Sequence, residues 1–205
     1  MYESFQALSE EKQQRIIDVC IQEFAQYGYE NSSTNRIIKE SGISKGSLFK
    51  YFHTKEDMYL YILDYVVNEI TSEIRNKTDN LPQDIFDRVY RVAEIEMDLH
   101  LRKPVIYSLF KKAFSADTEL AQKLFSKYKE EANIFFDLLF DQVDDDNLRY
   151  DKMKTIEVLK WVLTGLNEKV FQMRDQEMED IEELHQGYFE QLSTYLEMLK
   201  MGLEK

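Results

Sequence analysis

Helix breakers are scarce in this chain: two prolines and six glycines interrupt 205 residues. A long sequence with so few breakers, rich in Glu, Lys, Leu and Ile, reads as mostly helical. No segment alternates apolar and polar residues over any length, so no sheet is expected. Apolar residues recur instead at helical spacing. Ile16, Ile17, Cys20, Ile21 and Phe24 form one stripe, and Met58, Ile62, Tyr65, Val66 and Ile70 form another. The fold class is therefore all-α, with no internal repeat and no low-complexity tract.

Capping signals place the helices. Ser9 precedes Glu10 and Glu11 and opens a helix that Gly28 stops. Ser33 or Thr34 opens a second, which ends at Ser41 and Gly42. Ser44 opens a third, running to about Phe52. Thr54 opens a fourth, with Asp57 three residues on in a capping-box-like arrangement. Phe86, Val89, Ala93, Met97 and His100 or Leu101 mark another stripe, after which Pro104 fits the first turn of a new helix, Pro104–Phe114. Leu120, Leu124, Tyr128, Ala132, Phe135 and Leu139 continue the series. The acidic run Asp141–Asn147 breaks it as a solvated loop. A helix through Trp161 and Gly165 follows, and the last carries Ile181, Leu184, Tyr188, Leu192, Tyr195 and Leu199.

Several function classes fall away. The lone Cys20 has no disulfide partner and reads as a small buried apolar residue. The start, MYESFQALSEEKQQR, lacks the basic flank and apolar run of a signal peptide. No apolar run reaches the roughly 18 residues of a membrane span. The expected location is the cytoplasm, without a membrane partner. His53, His100 and His185 pair with no Cys or carboxylate at ligand spacing, so no metal site is expected. There is no phosphate loop, nucleophile–base motif or carboxylate pair. An enzyme is not expected, and neither is a cofactor.

The net charge of −13 by itself argues against nucleic acid. Its distribution argues otherwise. Between Ser33 and Lys55 stand Arg36, Lys39, Lys45, Lys50 and Lys55, against Glu40 alone. Charges on an acidic body are screened beyond about 8–10 Å at cellular ionic strength. A local basic island can therefore meet DNA.

The island coincides with two short helices joined at Gly42, the layout of a helix-turn-helix. Ile37, Ile38, Ile43, Leu48 and Tyr51 can close a core against Ile17, Ile21 and Phe24. Lys45, Gly46, Ser47, Phe49 and Lys50 are then left facing outward. An α-helix fits the major groove, and the first turn of a recognition helix reaches the base edges. Small residues there permit close approach, and lysine and serine supply donors. Helix starts at Thr34, Ser44 and Thr54 present free amides to phosphates, and Lys55 adds a charge at the same edge.

The block STNRIIKESGISKGSLFKYFHTKEDM, Ser33–Met58, within Ser9–Ile70, resembles the DNA-binding domain of TetR/AcrR-family transcriptional regulators. The likeness rests on Thr34, the Gly42-Ile43-Ser44 turn, the K-G-S-L-F pattern, the Tyr51-Phe52 ending and the T-K-E that opens the fourth helix. Carried over by position, Ser33, Thr34, Ser44, Tyr51 and Lys55 match phosphate contacts. Lys45, Gly46, Ser47, Phe49 and Lys50 match the groove-facing set. Ile38 and Ser41 stand where alanines are usual. Phe49 stands where tyrosine is common, exchanging a hydroxyl for an apolar contact that suits a thymine methyl.

The resemblance implies an all-helical homodimer, with residues 1–53 reading DNA and residues 54–205 binding an effector and dimerising. The fourth helix, to about residue 70, is the connector. It also implies repression of a palindromic duplex operator, relieved by a small molecule. An all-helical ligand-sensing or interaction protein without DNA binding is the alternative. The last two helices can serve as intramolecular core, or as half of an intersubunit four-helix bundle. Trp161, Val162, Gly165, Leu166, Leu184, Tyr188, Leu192, Tyr195 and Leu199 are the interface set in the second case. His100, Tyr107, Phe110, Phe114 and Phe135 are either core or the lining of an effector site.

Overall fold

Three hydroxyl side chains start three successive helices. Ser33 accepts from the Arg36 amide, Ser44 from the Ser47 amide and Thr54 from the Asp57 amide. Each satisfies an N–H that the helix leaves unpaired at its first turn. The computed structural model describes residues 2–78, 80–115, 119–128, 140, 143–174 and 181–205. In order, the helices among them are α1 (Glu3–Gln6), α2 (Glu10–Asn31), α3 (Thr34–Ser41), α4 (Lys45–Tyr51), α5 (Lys55–Arg75), α6 (Ile85–Arg102), α7 (Pro104–Ser115), α8 (Glu119–Lys127), α9 (Lys152–Arg174) and α10 (Ile181–Leu203). No strand occurs among the described residues, only an isolated bridge between Leu148 and Glu204. The fold is all-α: an N-terminal helix-turn-helix followed by a helical C-terminal part. No helix of the described residues is long and apolar enough to cross a membrane.

Two compact units divide the chain. The first comprises residues 1–76 and 99–131, the second residues 77–98 and 132–205, so α6 begins in one and ends in the other. In the first unit, Ile16, Cys20 and Phe24 of α2 are fully buried, together with Ile62, Leu63 and Val66 of α5. Cys20 lies 3.8 Å from the Met58 sulfur, and burial pushes its thiol up to about 12. It is a core residue, as its sequence context suggested.

In the second unit, Ile85, Phe86, Val89, Ala93 and Met97 of α6 pack with Ile156, Leu159 and Leu166 of α9 and Tyr188, Leu192 and Leu196 of α10. The Tyr188 hydroxyl donates to Asn167 at 2.8 Å, and the Asn167 amide donates to Glu96 at 3.1 Å. A buried phenol has thus found a partner, and burial pushes its pKa up.

Two details differ from the sequence expectation. Gly28 leaves the helical range at φ 69°, ψ 179°, but the chain resumes a helical turn to Asn31. The start of the chain, given no element by periodicity, forms α1, whose Phe5 has no exposed surface. In the acidic segment, Asp144, Asp145 and Asp146 are exposed while Val143 is buried.

Candidate nucleic-acid interface

Gly42 sets the angle between α3 and α4. Its φ of 68° and ψ of 29° place it in the left-handed region, where a Cβ is strained. Around it, the Ile43 amide donates to the Ile38 carbonyl and the Gly42 amide to the Lys39 carbonyl, each at 3.3 Å. This is a Schellman ending, and it satisfies two of the last carbonyls of α3. Ile43, one residue past the glycine, is buried. Ser41, where the resemblance led one to look for alanine, is also buried, and its hydroxyl donates to the Ile37 carbonyl at 2.5 Å. The extra oxygen therefore adds no unpaired group to the core.

Packing then sorts the faces of α4. Leu48, Tyr51 and the capping Phe52 are buried, as are Ile37 on α3 and Ile17, Ile21 and Phe24 on α2. Ile38 is only half-buried. Ser44, Lys45, Gly46 and Lys50 are exposed, and Ser47 and Phe49 half-buried. The five residues expected to face outward lie together on the accessible side of α4. A Cβ built on Gly46 would meet no protein atom closer than the Ser44 hydroxyl at 3.8 Å. Internal packing gives no reason for a glycine there, and a helix interior disfavours it.

Electrostatics refine the basic island. Arg36 is not an open charge. Its Nε lies 3.0 Å from both Glu23 carboxylate oxygens, and its Nη2 reaches Oε1 at 2.5 Å. It also donates to the Asn31 carbonyl at 3.1 Å and stacks over Tyr27 at 4.0 Å. Glu23, only 7% exposed, further accepts from the Ser33 amide at 2.7 Å. Burial raises the Glu23 pKa, but the Arg36 bonds, the Ser33 amide and the nearby Lys55 charge outweigh it, leaving it below the ordinary value. Lys55 donates to the Glu30 carbonyl at 3.2 Å and lies 4.9 Å over the Tyr29 ring. Two of the five basic residues thus bind the end of α2. Among the described ion pairs, none involves Lys39, Lys45 or Lys50.

The residues that the resemblance matches to phosphate contacts are distributed over α3, α4 and the start of α5. Ser33 and Thr34 are half-buried at the start of α3, and Ser33 is engaged as a cap. The Ser44 and Ser47 hydroxyls lie 2.9 Å apart. Tyr51 packs its ring inward and is 8% exposed. The surface joins a first turn of small, donor-bearing residues to two unpaired lysines. That is the chemistry for backbone approach to base edges and for phosphate neutralisation.

Sequence reasoning passed over Glu23, Tyr2 and Phe5. Glu23 sits one residue before Phe24 in the apolar stripe, so its burial was readable in phase, though its partner Arg36 was not. Tyr2 and Phe5 are three apart, the spacing of one helical face, but four residues are too few for a periodic signal.

The other candidate residues divide by burial. His100 and Tyr107, both buried, meet edge-on with centroids 5.2 Å apart, and Phe110 follows 6.5 Å from Tyr107. The Phe114 side chain and all of Phe135 lie outside the described residues. On α9 and α10, Trp161, Val162, Gly165, Leu166, Tyr195 and Leu199 border a common apolar groove. Trp161 is 66% exposed and Met198, one residue before Leu199, 64%. Tyr188 and Leu192 instead belong to the core of their own chain. The Leu184 side chain is outside the described set.

A helix-turn-helix with this exposed first turn defines a DNA-binding regulator. Residues 16–62 match the model for bacterial regulatory proteins, tetR family. Over 156 residues, the chain is 26% identical to the HTH-type transcriptional regulator SAB2452 of Staphylococcus aureus (strain bovine RF122 / ET3-1), covering 76% of this chain and 80% of that one. A TetR family transcriptional regulator from Chloroflexus aurantiacus J-10-FL superposes with a TM-score of 0.70 at 24% identity, over 99% and 98% of the two chains. FadR from Bacillus subtilis, solved in complex with stearoyl-CoA, does so with a TM-score of 0.61 at 17% identity, over 91% and 96%. Along most of its length the chain is similar to transcriptional regulators of this kind, and residues 16–62 carry the likeness to the tetR family.

Proposed function

We propose that the protein is a homodimeric repressor that binds a palindromic duplex operator through two copies of α4 and releases it when a small molecule binds. Residues 1–53 read the DNA, α5 connects, and residues 54–205 carry dimerisation and effector binding. The observation that carries the reading is the first turn of α4, where Lys45 and Gly46 are exposed beside Ser47 and a side chain added at Gly46 would meet only the Ser44 hydroxyl at 3.8 Å. Lys45, Gly46, Ser47, Phe49 and Lys50 face the groove. Ser33, Thr34, Ser44, Tyr51 and Lys55 lie toward the backbone.

The exposed Trp161, Gly165 and Tyr195, with the half-buried Val162 and Leu199 between them and the core, form the self-association face. Apolar surface of that kind is costly to leave in water, and a second copy would cover it. His100, Tyr107 and Phe110 belong to the effector site, and the stearoyl-CoA complex of FadR, a protein of similar fold, supports a ligand-responsive reading. An effector acts by binding more tightly to the form whose head spacing does not fit DNA. The protein works in the cytoplasm.

The test is selection of duplexes from a random pool, followed by footprinting. An inverted repeat with half-sites about 34–36 Å apart, one turn of B-DNA, is expected. Failure to enrich any duplex at physiological salt overturns the DNA-reading assignment.

A further inference from the structure

We propose that the N-terminal segment Tyr2–Gln6 is a brace that positions the recognition helix, with Phe5 as its positioning residue and specificity for the operator as what it protects. The inference rests on the reading of α4 as the groove-facing helix. It concerns residues ahead of the 16–62 segment that matches the family.

The need for a brace begins with the length of α4. Seven residues make fewer than two turns, and a helix so short has little stability of its own. Its orientation is therefore set by whatever packs against its buried face. That face ends in Tyr51 and Phe52, and both rings meet Phe5. The Phe5 ring lies 5.9 Å from Tyr51, edge-on, and 4.9 Å from Phe52. On its other side it lies 5.3 Å from Tyr61 of α5, at an interplanar angle of 78°. One fully buried ring thus bridges the end of α4 to the connecting helix.

The segment is held at both ends. Tyr2 packs edge-on against Tyr61 at 4.6 Å, and its hydroxyl donates to the Asp57 carbonyl at 3.2 Å. At the far end, the Gln13 side-chain amide of α2 donates to the Leu8 carbonyl at 2.9 Å and to the Gln6 carbonyl at 3.2 Å. A segment anchored on α5 and α2 and wedged against α4 fixes three helices relative to one another. Recognition of bases demands such fixing, because groove contacts are lost with small changes in helix angle. Attraction to phosphates does not.

The experiment uses the full chain with Phe5→Leu, Tyr2→Phe and, as the conservative variant, Phe5→Tyr. Each is titrated against a duplex that the wild type enriches from a random pool, and against an unrelated duplex of the same length and at the same salt. The expected result for Phe5→Leu is a loss of at least about tenfold on the selected duplex, within twofold on the unrelated one, with Phe5→Tyr largely restored. Tyr2→Phe is expected to lie between. Equal losses on both duplexes, tracking a fall in folded fraction, overturn the proposal, because they mean that Phe5 only holds the fold. No loss on the selected duplex overturns it as well. Hydrogen exchange of the Leu48 and Phe52 amides, read without DNA, is expected to rise in Phe5→Leu, while Ile62 and Leu63 stay unchanged. If exchange at Leu48 and Phe52 does not change, the brace fails even where the wild-type protein enriches no duplex, so this arm is independent of the DNA reading.

Discussion

The Glu23 carboxylate of α2 and the Arg36 guanidinium of α3 close on one another across the Asn31–Ser33 link, with Glu23 oxygens 3.0 Å from Nε and one 2.5 Å from Nη2. Glu23 also takes the Ser33 amide, so one buried side chain holds both the cap and the first turn of α3. Glu23→Gln keeps the shape and removes the charge. Loss of charge-assisted bonds to a buried acceptor costs about 1.5–3 kcal/mol. At about 2–4 °C per kcal/mol for a chain of this size, a drop in melting temperature of roughly 3–12 °C is expected by calorimetry. A melting temperature within a degree of wild type would mean that the pair contributes nothing to the fold.

The same carboxylate makes stability depend on pH. Its pKa is lower in the folded state than its ordinary value of 4.5. Stability from such a group is complete above the unfolded pKa and is lost as the pH falls through the folded one. Denaturant midpoints should therefore fall below about pH 4.5, and fall less steeply in Glu23→Gln. Parallel pH profiles of the two proteins would rule out Glu23 as a source of the acid sensitivity.

Gly46→Ala separates folding from recognition. The chain has room for the added methyl, and alanine in a helix is favoured over glycine by roughly 0.5–1 kcal/mol. The variant should be as stable as the wild type or more so. It should bind a selected duplex more weakly, by about tenfold or 1.4 kcal/mol, because the methyl stands between backbone and groove. Unchanged affinity would remove Gly46 from the interface.

Lys50 and Lys45 should differ from Arg36 in their response to salt. For Lys50→Ala, weaker binding with a salt slope reduced by about one indicates a phosphate contact. Weaker binding with lost discrimination at one base pair indicates a base contact. Neither change would leave Lys50 outside the interface. Charge reversal at Lys45 and Lys55 together should abolish operator binding at physiological salt.

Residues of α9 and α10 fall into two groups that substitution can tell apart. Trp161→Glu, at a position 66% exposed, should leave the subunit folded and shift sedimentation toward the monomer. Leu192→Ala, at a position with no exposed surface, should destabilise the subunit by about 2–5 kcal/mol. If Trp161→Glu sediments like the wild type, the exposed face is not where copies meet.

Local chemistry was legible in the order of residues wherever a side chain acts on its own backbone. Ser33, Ser44 and Thr54 cap, and Gly42 turns, because a hydroxyl or a missing Cβ does its work within a few bonds. The apolar stripes likewise located the helices and the buried face of α4, since helical period alone sorts inside from outside. The outward set from Lys45 to Lys50 was therefore readable as a surface.

What required tertiary structure were the meetings of residues far apart in the chain. That Arg36 is neutralised by Glu23 and Lys55 engaged by Glu30, leaving Lys39, Lys45 and Lys50 as the open charges, depends on how α2, α3 and α5 cross. That Phe5 belongs to the same aromatic cluster as Tyr51, Phe52 and Tyr61 depends on the chain folding back across some 46 to 56 positions. Tyr188 and Leu192 share a stripe with Tyr195 and Leu199, yet the first two are consumed by their own core while the others border the exposed groove. Helical spacing assigns a residue to a face, but only packing decides what that face meets. The partner is set by distances through space, and period along one helix carries no information about those.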